Sequence, residues 1–366
     1  MEKKNNSRKI NYALTENREG GYERRVSVYD WLRLIAIIYV VIGHSTYLNI
    51  STTYGGVAYV LPTDIHQLYN HPFFEWIRYI SVWVYGFHMP LFFMLSGAVL
   101  ALKPIGDMDS IIKRKTKRLL IPYFFYGWLF MLPVKWLGNF YSNESIIQAL
   151  KGFLHGEDSG HLWFLTALFW CIIAFVIIKK ALNKIGISSI YALFLVAGLI
   201  FFTCQYIPFN ILELKTGLMY LIYFAIGFIF ETERQRYECW TIRRTIVAVV
   251  ILIGIEIVNR RFAILDTFFI IIIGSFLTFL ISDIADRKLV RFTKTKAWAF
   301  ITRNLFYVYI FHDPLNYIAL RVFINNGLLS TGIGCVMYVV TRTLLIFLIS
   351  LFIGEIVNKI KQRVCI

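Results

Sequence analysis

The sequence has few charged residues for its length. Only 16% of the 366 residues are Asp, Glu, Lys or Arg, 58% are hydrophobic, and the mean hydropathy is +0.61. This composition excludes an ordinary soluble domain. A net charge of +16 would suggest a nucleic-acid partner in a soluble protein, but here the basic residues cluster in short segments between long apolar runs. That arrangement indicates membrane topology, with lipids and not nucleic acid as the surroundings.

Several motifs of soluble enzymes and metalloproteins are also missing. The five cysteines show no CxxC or Cys/His spacing, so we expect no metal site and no disulfide framework. The sequence contains no P-loop and no dinucleotide fingerprint. It shows no internal repeat, which gives no support to an inverted-repeat transporter.

What the sequence does contain is a series of apolar runs, each near the 20 helical residues that cross a bilayer. We predict an all-α integral membrane protein with about ten transmembrane helices. The predicted spans are 29–48, 79–102, 119–137, 162–178, 188–202, 216–230, 245–258, 262–281, 297–320 and 332–357.

The positions of Lys and Arg set the orientation of these spans. With both termini in the cytoplasm, the inner segments hold 28 of the 38 basic residues, the outer segments hold seven, and three lie inside spans. Such a bias is typical of positive-inside topology. We predict a mobile cytoplasmic tail over 1–28, a transmembrane domain over 29–357 and a short basic tail over 358–366. Two long outer loops, 49–78 and 138–160, either cover a substrate site or rest on the headgroups.

The first span carries the clearest polar set. Arg33 and His44 are eleven residues apart, so they lie within roughly 20° of one another around a helix and about 16 Å apart along it. Asp30 is one turn before Arg33 and can pair with it. An ionisable residue in a span is costly unless it is paired or faces water, which favours a functional role. The alternatives are a snorkelling anchor for Arg33 and a helix–helix hydrogen bond for His44.

The second span and the loop after it suit a cavity wall beside a basic surface. Pro90 predicts a kink, and Ser96 with Gly97 allows close approach of a helix or ligand. The loop that follows contains Arg114 and Arg118, which suit a phosphate-rich ligand, although positive-inside topology also explains them.

These residues resemble acyltransferase family 3, the membrane-bound O-acyltransferases of cell-surface sugars. The first span resembles the family's signature of an arginine, ten residues and a histidine. Four further elements match in order, namely FFMLSG at 92–97, RLLIPY at 118–123, HLWFL at 161–165 and FYVYIFHDP at 306–314. Within the family, the chain is most similar to the fucose-4-O-acetylase-like branch.

The resemblance implies a bacterial plasma-membrane enzyme that transfers acetyl from cytoplasmic acetyl-CoA to a sugar hydroxyl of an envelope polysaccharide or lipid-linked glycan. It implies that Arg33 and His44 are essential. We expect Arg33, Arg114, Arg118 and Arg303, with Ser96 and Gly97, to hold coenzyme A. His44, with Arg33 and Asp30, is the predicted catalytic set, since histidine is the usual general base near neutral pH. Direct transfer and an acyl-enzyme intermediate both remain open.

Other polar residues have weaker assignments. The predicted substrate-binding residues are His88, His161, Trp163 and His312, with core hydrogen bonding, or a place in the aromatic belt for Trp163, as the alternative. Arg342 must find a partner within the last span, and Asp313 or Glu256 could provide a structural pair.

Two other functions are consistent with the same residues. A transporter of a glycan or organic anion also lines its path with buried Arg and His on kinked helices. A purely structural membrane subunit has little reason to keep His44 on the Arg33 face.

Overall fold

A computed structural model describes residues 12–16, 22–48, 66–138, 140–141, 146–187, 189–234, 242–262 and 267–363. Most of the predicted outer loop 49–78 and the ends of both predicted tails lie outside these residues. The fold is helical, as predicted, apart from one antiparallel hairpin within the predicted N-terminal tail, in which Tyr12 pairs with Val26 and Glu16 with Tyr22.

The elements are numbered in chain order. They are β1 (Tyr12–Glu16), β2 (Tyr22–Val26), α1 (Ser27–Ser45), α2 (His66–Tyr69), α3 (Pro72–Tyr85), α4 (His88–Ala101), α5 (Met108–Lys115), α6 (Ile121–Tyr126), α7 (Leu132–Leu137), α8 (Ile146–His155), α9 (Trp163–Lys184), α10 (Ile190–Thr203), α11 (Leu214–Met219), α12 (Leu221–Arg234), α13 (Ile242–Phe262), α14 (Thr267–Lys288), α15 (Val290–Thr293), α16 (Lys296–Asn325), α17 (Gly332–Val340) and α18 (Ile346–Arg363).

Short segments of other helical types join or extend these helices. Three π-helical segments, at Thr116–Leu120, Gly127–Met131 and Thr341–Leu345, continue helices without a loop. Segments of 3₁₀-helix lie at Gly160–Leu162, Cys204–Tyr206, Ile211–Glu213 and Leu328–Ser330. A π-helical turn frequently marks a functional site inside a helix.

Every predicted span overlaps a helix or a bent helix pair. Within the described ranges, five continuous stretches are long and apolar enough to cross a membrane, and there are seven if α3 with α4 and α11 with α12 each form one bent span. The stretch Ile190–Tyr206 is apolar but shorter. The count of ten and the orientation of the termini stay predictions.

The predicted kink at Pro90 is wrong in its position. The chain breaks before it, at Gly86 and Phe87, and α4 begins at His88. Pro90 therefore lies in the first turn of α4, where a backbone N–H has no helical partner and its loss costs nothing.

The chain forms two compact units, each assembled from three separated segments. The first unit comprises Met1–Ala36, Gly86–Ile105 and Ile222–Thr302, and the second comprises Ile37–Tyr85, Gly106–Leu221 and Arg303–Ile366. Helices α1 and α16 each contribute residues to both units.

In the first unit, helices α4 and α12 pack through glycines. A Cβ added to Gly97 would lie 2.0 Å from the carbonyl oxygen of Phe224, and one added to Gly227 would lie 1.8 Å from that of Met94. Small residues let helix backbones approach closely, which is a common basis of helix association within a bilayer.

The second unit has a buried aromatic and aliphatic core next to α3, α16 and α17. Its members are Leu48, Leu68, Phe74, Ile77, Phe140, Tyr317, Leu320, Phe323, Leu329, Cys335, Tyr338 and Val339. Outward-facing side chains of this unit are also apolar, since Leu195 and Leu199 of α10 are 70% and 63% exposed. Such exposure is unfavourable in water and natural against lipid.

Candidate active site

The second unit places one carboxylate at the centre of a polar cluster. The side chain of Asp313, in the middle of α16, is 3% exposed. Its Oδ1 accepts a hydrogen bond from the Tyr47 hydroxyl at 2.8 Å, and its Oδ2 accepts one from the Tyr317 hydroxyl at 2.5 Å. Nδ1 of His44 lies 3.2 Å from Oδ1, and Nδ1 of His161 lies 3.2 Å from Oδ2. Two phenol hydrogen bonds and two neighbouring imidazoles therefore stabilise a buried charge that would be very costly alone.

His44 lies in the last turn of α1, with its side chain 17% exposed. A carboxylate only accepts hydrogen bonds, so the Nδ1 that faces Asp313 carries the proton of the neutral ring. Its Nε2 is then an unprotonated acceptor, and the described residues supply no hydrogen-bond partner for it. This is the arrangement of a histidine general base oriented by a carboxylate.

The position of His161 follows from the proline in α16. Pro314 has no backbone N–H, so the carbonyl oxygen of Ile310, four residues earlier, lacks its helical donor. Nε2 of His161 lies 3.0 Å from that oxygen. The hydroxyl of Tyr309 in turn donates to the carbonyl oxygen of His161. The proline thereby creates the acceptor that holds His161 against Asp313.

His312 is wholly buried beside the two other imidazoles. Its Nδ1 lies 3.0 Å from the carbonyl oxygen of Val308 and 2.8 Å from that of Tyr309, so this nitrogen donates. Its Nε2 is buried and has no hydrogen-bond partner in the described part of the chain. The ring centre lies 5.1 Å from those of His44 and His161. A second unprotonated acceptor therefore lies next to the first.

Arg342 fixes the end of α1 from the π-helical segment of the last span. It is fully buried, and its guanidinium donates to the carbonyl oxygens of His44 at 2.9 Å and Tyr47 at 2.5 Å, to Oδ1 of Asn316 at 2.9 Å, and to the Tyr338 hydroxyl. The prediction that Arg342 pairs with Asp313 or Glu256 is wrong. The physical reason is that neutral oxygens satisfy the N–H donors of the Arg342 guanidinium, so no carboxylate has to be buried beside it.

The same cluster has some of the chemistry of a metal site. His44, His312 and Asp313 each offer a ligand atom, and these atoms lie within 4.8 Å of one another. The sequence predicts no metal, and this stays a prediction. Each oxygen of Asp313 already has a phenol and an imidazole as neighbours, which leaves it little capacity for a cation.

The family comparison agrees with this architecture. The profile of the acyltransferase domain of acyltransferase family 3 matches residues 27–355, which is most of the chain. The chain belongs to acyltransferase family 3. No curated protein and no solved structure matches it. The match establishes a membrane acyltransferase, while the fucose-4-O-acetylase-like branch stays a prediction.

Two predicted catalytic residues of the acyltransferase lie in the first unit. Arg33 donates to Oδ1 of Asp30 at 3.1 Å, as the spacing predicts, and the Arg33 side chain is 45% exposed while that of Asp30 is 7% exposed. An exposed guanidinium is suitable for binding an anion, and the catalytic and coenzyme A assignments of Arg33 stay predictions.

Three further predicted residues belong to α4 in the same unit. His88 is buried at the start of the helix, and Ser96 is half-buried. Gly97 is in the close contact with Phe224, so packing of α12 accounts for this glycine without a cofactor. Their assignments to substrate and coenzyme A stay predictions.

The predicted coenzyme A cations of the second unit lie on its surface. Arg114 and Arg118 are exposed, while Arg303 is 51% exposed and donates to Glu355 at 2.7 Å. The helix that carries Arg114 begins at a cap in which Asp107 accepts from the Ser110 N–H at 2.9 Å. That hydrogen bond holds the pKa of Asp107 below its usual value. Because Arg114 and Arg118 are exposed and Arg303 is paired with Glu355, Arg114 and Arg118 are the cations of this unit most available to a phosphate.

No catalytic part was predicted from the sequence for Asp313, Tyr47 or Tyr317. Asp313 was considered only as a partner for Arg342. The available signal was its position in a span directly after His312, since an ionisable residue there is a candidate by default. The two tyrosines could not be distinguished by sequence from the many others in and near spans.

Proposed function

We propose that this acyltransferase transfers an acetyl group from cytoplasmic acetyl-CoA to a hydroxyl of a cell-envelope glycan in a bacterial plasma membrane. The observation that carries the proposal is the pair of His44 and Asp313, 3.2 Å apart between Nδ1 and Oδ1. This pair supplies a base whose second nitrogen is an acceptor, which a sugar hydroxyl needs because it is a poor nucleophile near neutral pH.

In the proposed reaction, Nε2 of His44 takes the proton of the sugar hydroxyl. The hydroxyl oxygen attacks the thioester carbonyl carbon, a C–O bond forms, and the C–S bond breaks. The departing coenzyme A sulfur takes the proton from the His44 imidazolium and leaves as the thiol. Nε2 of His312 accepts a hydrogen bond from a second hydroxyl of the sugar and so orients the sugar. Asp313, Tyr47 and Tyr317 position His44 without touching substrate.

The donor side of the proposal rests on cations. Coenzyme A carries several phosphate charges, and Arg114 and Arg118 of the second unit present exposed guanidinium groups that match phosphate geometry. Arg33 of the first unit, 45% exposed, stays a predicted coenzyme A residue. Arg303 contributes less because Glu355 already neutralises it.

The test is a direct assay of the purified protein in detergent with acetyl-CoA and a set of p-nitrophenyl glycosides. Release of coenzyme A together with formation of an acetylated glycoside supports the proposal. Protein-dependent movement of the glycosides across liposomes with no consumption of acetyl-CoA would instead establish the transporter and overturn it.

A further inference from the structure

The second unit contains a buried ion pair that the proposed reaction does not use. Lys135 of α7 has a side chain that is 2% exposed, and its Nζ lies 3.1 Å from Oδ1 of Asp158, whose side chain is 7% exposed. Nζ also donates to the backbone carbonyl oxygen of Asp158 at 3.2 Å. The hydroxyl of Tyr141 donates to Oδ2 of Asp158. Three oxygens of one residue are therefore held by two side chains.

These contacts fix the backbone of the loop before α9. Asp158 has φ 51°, in the left-handed region where residues other than glycine are uncommon, and such a conformation persists only where the surrounding contacts determine it. Gly160 begins the 3₁₀ segment before α9 and also has φ 51°. His161 is the next residue, and its Nδ1 lies 3.2 Å from Oδ2 of Asp313. The loop that Lys135 holds therefore carries a side chain of the polar cluster around Asp313.

Lys135 also approaches this cluster from a second side. Its Nζ lies 6.0 Å from the centre of the Tyr317 ring, a distance at which an ammonium is attracted to the ring face. The Tyr317 hydroxyl donates to Oδ2 of Asp313 at 2.5 Å. A Cβ added to Gly160 would lie 3.5 Å from this hydroxyl and 3.8 Å from Nζ of Lys135. Both connections therefore end at Oδ2 of Asp313, while Oδ1 faces His44.

The loop before α9 also forms part of the wall of a cleft of about 580 Å³. Asp158, Ser159 and Gly160 line this cleft together with the predicted substrate residue Trp163. The volume is within the range of small-molecule sites. The loop therefore adjoins both the cleft and the cluster around Asp313, and the assignment of Trp163 to substrate stays a prediction.

A contribution to stability does not explain why both charges of the pair are buried. Each charge loses its hydration, and apolar residues of similar volume often leave a protein as stable as a buried ion pair does. A pair of this kind does determine geometry. Because one ammonium binds a side-chain oxygen and the main-chain oxygen of the same residue, it limits the rotation of the Asp158 backbone.

We infer that Lys135, paired with Asp158, is a positioning residue of this acyltransferase. It holds the loop before α9 so that the two groups at Oδ2 of Asp313 stay in place, and the fixed carboxylate then orients His44 through Oδ1. This inference rests on the proposed acetyl transfer. It adds to that reaction a buried cation that touches neither acetyl-CoA nor the sugar and that acts on kcat through the orientation of the base.

The first experiment compares Tyr141→Phe with Tyr307→Phe in acetyl transfer to a p-nitrophenyl glucoside. Tyr141→Phe keeps the ring and removes one hydrogen bond to Asp158. It should lower kcat about three- to tenfold, the effect of one lost hydrogen bond, and leave the KM for acetyl-CoA unchanged.

Tyr307→Phe is the matched control and should leave kcat unchanged. Tyr141 and Tyr307 are 4% and 5% exposed, and the Tyr307 hydroxyl donates to Oδ1 of Asn358 at 3.0 Å, on α18. A kcat that is unchanged in Tyr141→Phe, or that is lowered equally in both variants, overturns the inference.

The second experiment separates positioning from stability with the double variant Lys135→Met and Asp158→Asn. Both charges are removed together and side chains of similar size replace them, so the melting temperature should be close to that of the wild type. Methionine donates no hydrogen bond to the backbone of the loop, so kcat should still fall about tenfold or more. A double variant with the wild-type kcat would show that the pair serves stability alone.

NMR spectra of the protein with isotope-labelled histidine separate this inference from the proposed function. The His161 signal, assigned with His161→Gln, should shift in Tyr141→Phe and not in Tyr307→Phe. Such a shift in a protein that transfers no acetyl would uphold the positioning of His161 and refute the proposed reaction. Acetyl transfer with neither a shift nor a loss of kcat in Tyr141→Phe would uphold the reaction and refute the inference.

Discussion

The carbonyl oxygen of Ile310 lies 3.0 Å from Nε2 of His161. This contact exists because Pro314 supplies no N–H to the carbonyl, and an ordinary residue at 314 would compete for it. One missing backbone donor in α16 is thus coupled to the orientation of a side chain from a distant part of the sequence.

Pro314→Ala should therefore loosen His161 while strengthening α16. We expect kcat to fall about two- to tenfold, which matches the loss of one hydrogen bond of about 0.5–1.5 kcal/mol. The melting temperature should stay constant or rise, since proline is unfavourable inside a helix. Pro90→Ala is the control, because Pro90 lies in the first turn of α4, where its missing N–H has no helical acceptor. A parallel loss of activity and of melting temperature in Pro314→Ala would contradict this coupling.

His44→Ala removes the proposed base. Acetyl transfer should fall about 10²- to 10⁴-fold, the usual contribution of a general base. Binding of acetyl-CoA and the elution volume in detergent should be nearly unchanged, because no described side chain hydrogen bonds to the ring except that of Asp313. Turnover near the wild-type rate in this variant would remove His44 from the mechanism.

Asp313→Asn tests the positioning of that base. The amide presents a donor as well as an acceptor, so His44 can bind it in the wrong tautomer. We expect kcat to fall about 10²-fold or more with little change in the KM for acetyl-CoA, and we expect a changed pH–rate profile. Tyr47→Phe and Tyr317→Phe should each have a smaller effect on kcat, since each removes a single hydrogen bond to the carboxylate. A uniform rise in the KM for acetyl-CoA would indicate a role in donor binding instead.

Gly97→Ala tests whether the FFMLSG element serves packing. The new Cβ would lie 2.0 Å from the Phe224 carbonyl oxygen, and such overpacking costs about 1–3 kcal/mol. Gly198→Ala is the matched control, because nothing lies within 4 Å of its added Cβ and alanine favours the helix. Thermal unfolding in detergent should show a loss for Gly97→Ala and none for Gly198→Ala. If Gly97→Ala left unfolding unchanged and raised the KM for acetyl-CoA, the coenzyme role would be favoured.

Metal removal should have no effect on activity. Each oxygen of Asp313 already accepts a phenol hydrogen bond and has an imidazole beside it, so we expect the purified protein to keep full activity after prolonged treatment with EDTA or 1,10-phenanthroline. Elemental analysis should find less than one zinc per chain. Activity that is lost on chelation and restored by one equivalent of zinc would make His44, His312 and Asp313 a metal centre.

Periodic properties of the sequence predicted the helices well. Each apolar run that was predicted to be a span overlaps a helix or a bent helix pair. The prediction that Arg33 and His44 share one helix is confirmed by α1. Helix type and breaks were not predictable in the same way. No periodic signal in the sequence marks the break before His88 or the π-helical turn around Arg342.

The candidate site was predictable only in part. His44, His161 and His312 were named because each is polar within or beside an apolar run. The cluster depends on Asp313, however, and its contacts with Tyr47 and His161 join residues far apart in the chain. No alternation or helical period relates such residues, so their meeting could be found only from the fold.

The hydrogen bonds of Arg342 also imply an order of assembly. Its acceptors on His44, Tyr47 and Asn316 all precede it in the chain, so each has been synthesised before the guanidinium emerges from the ribosome. The last span, α17 with α18, can then insert against helices that already offer oxygen atoms to the buried guanidinium of Arg342. A polypeptide that stops before α17 would keep His44 and Asp313 but would lack the hydrogen bonds from Arg342 to the end of α1.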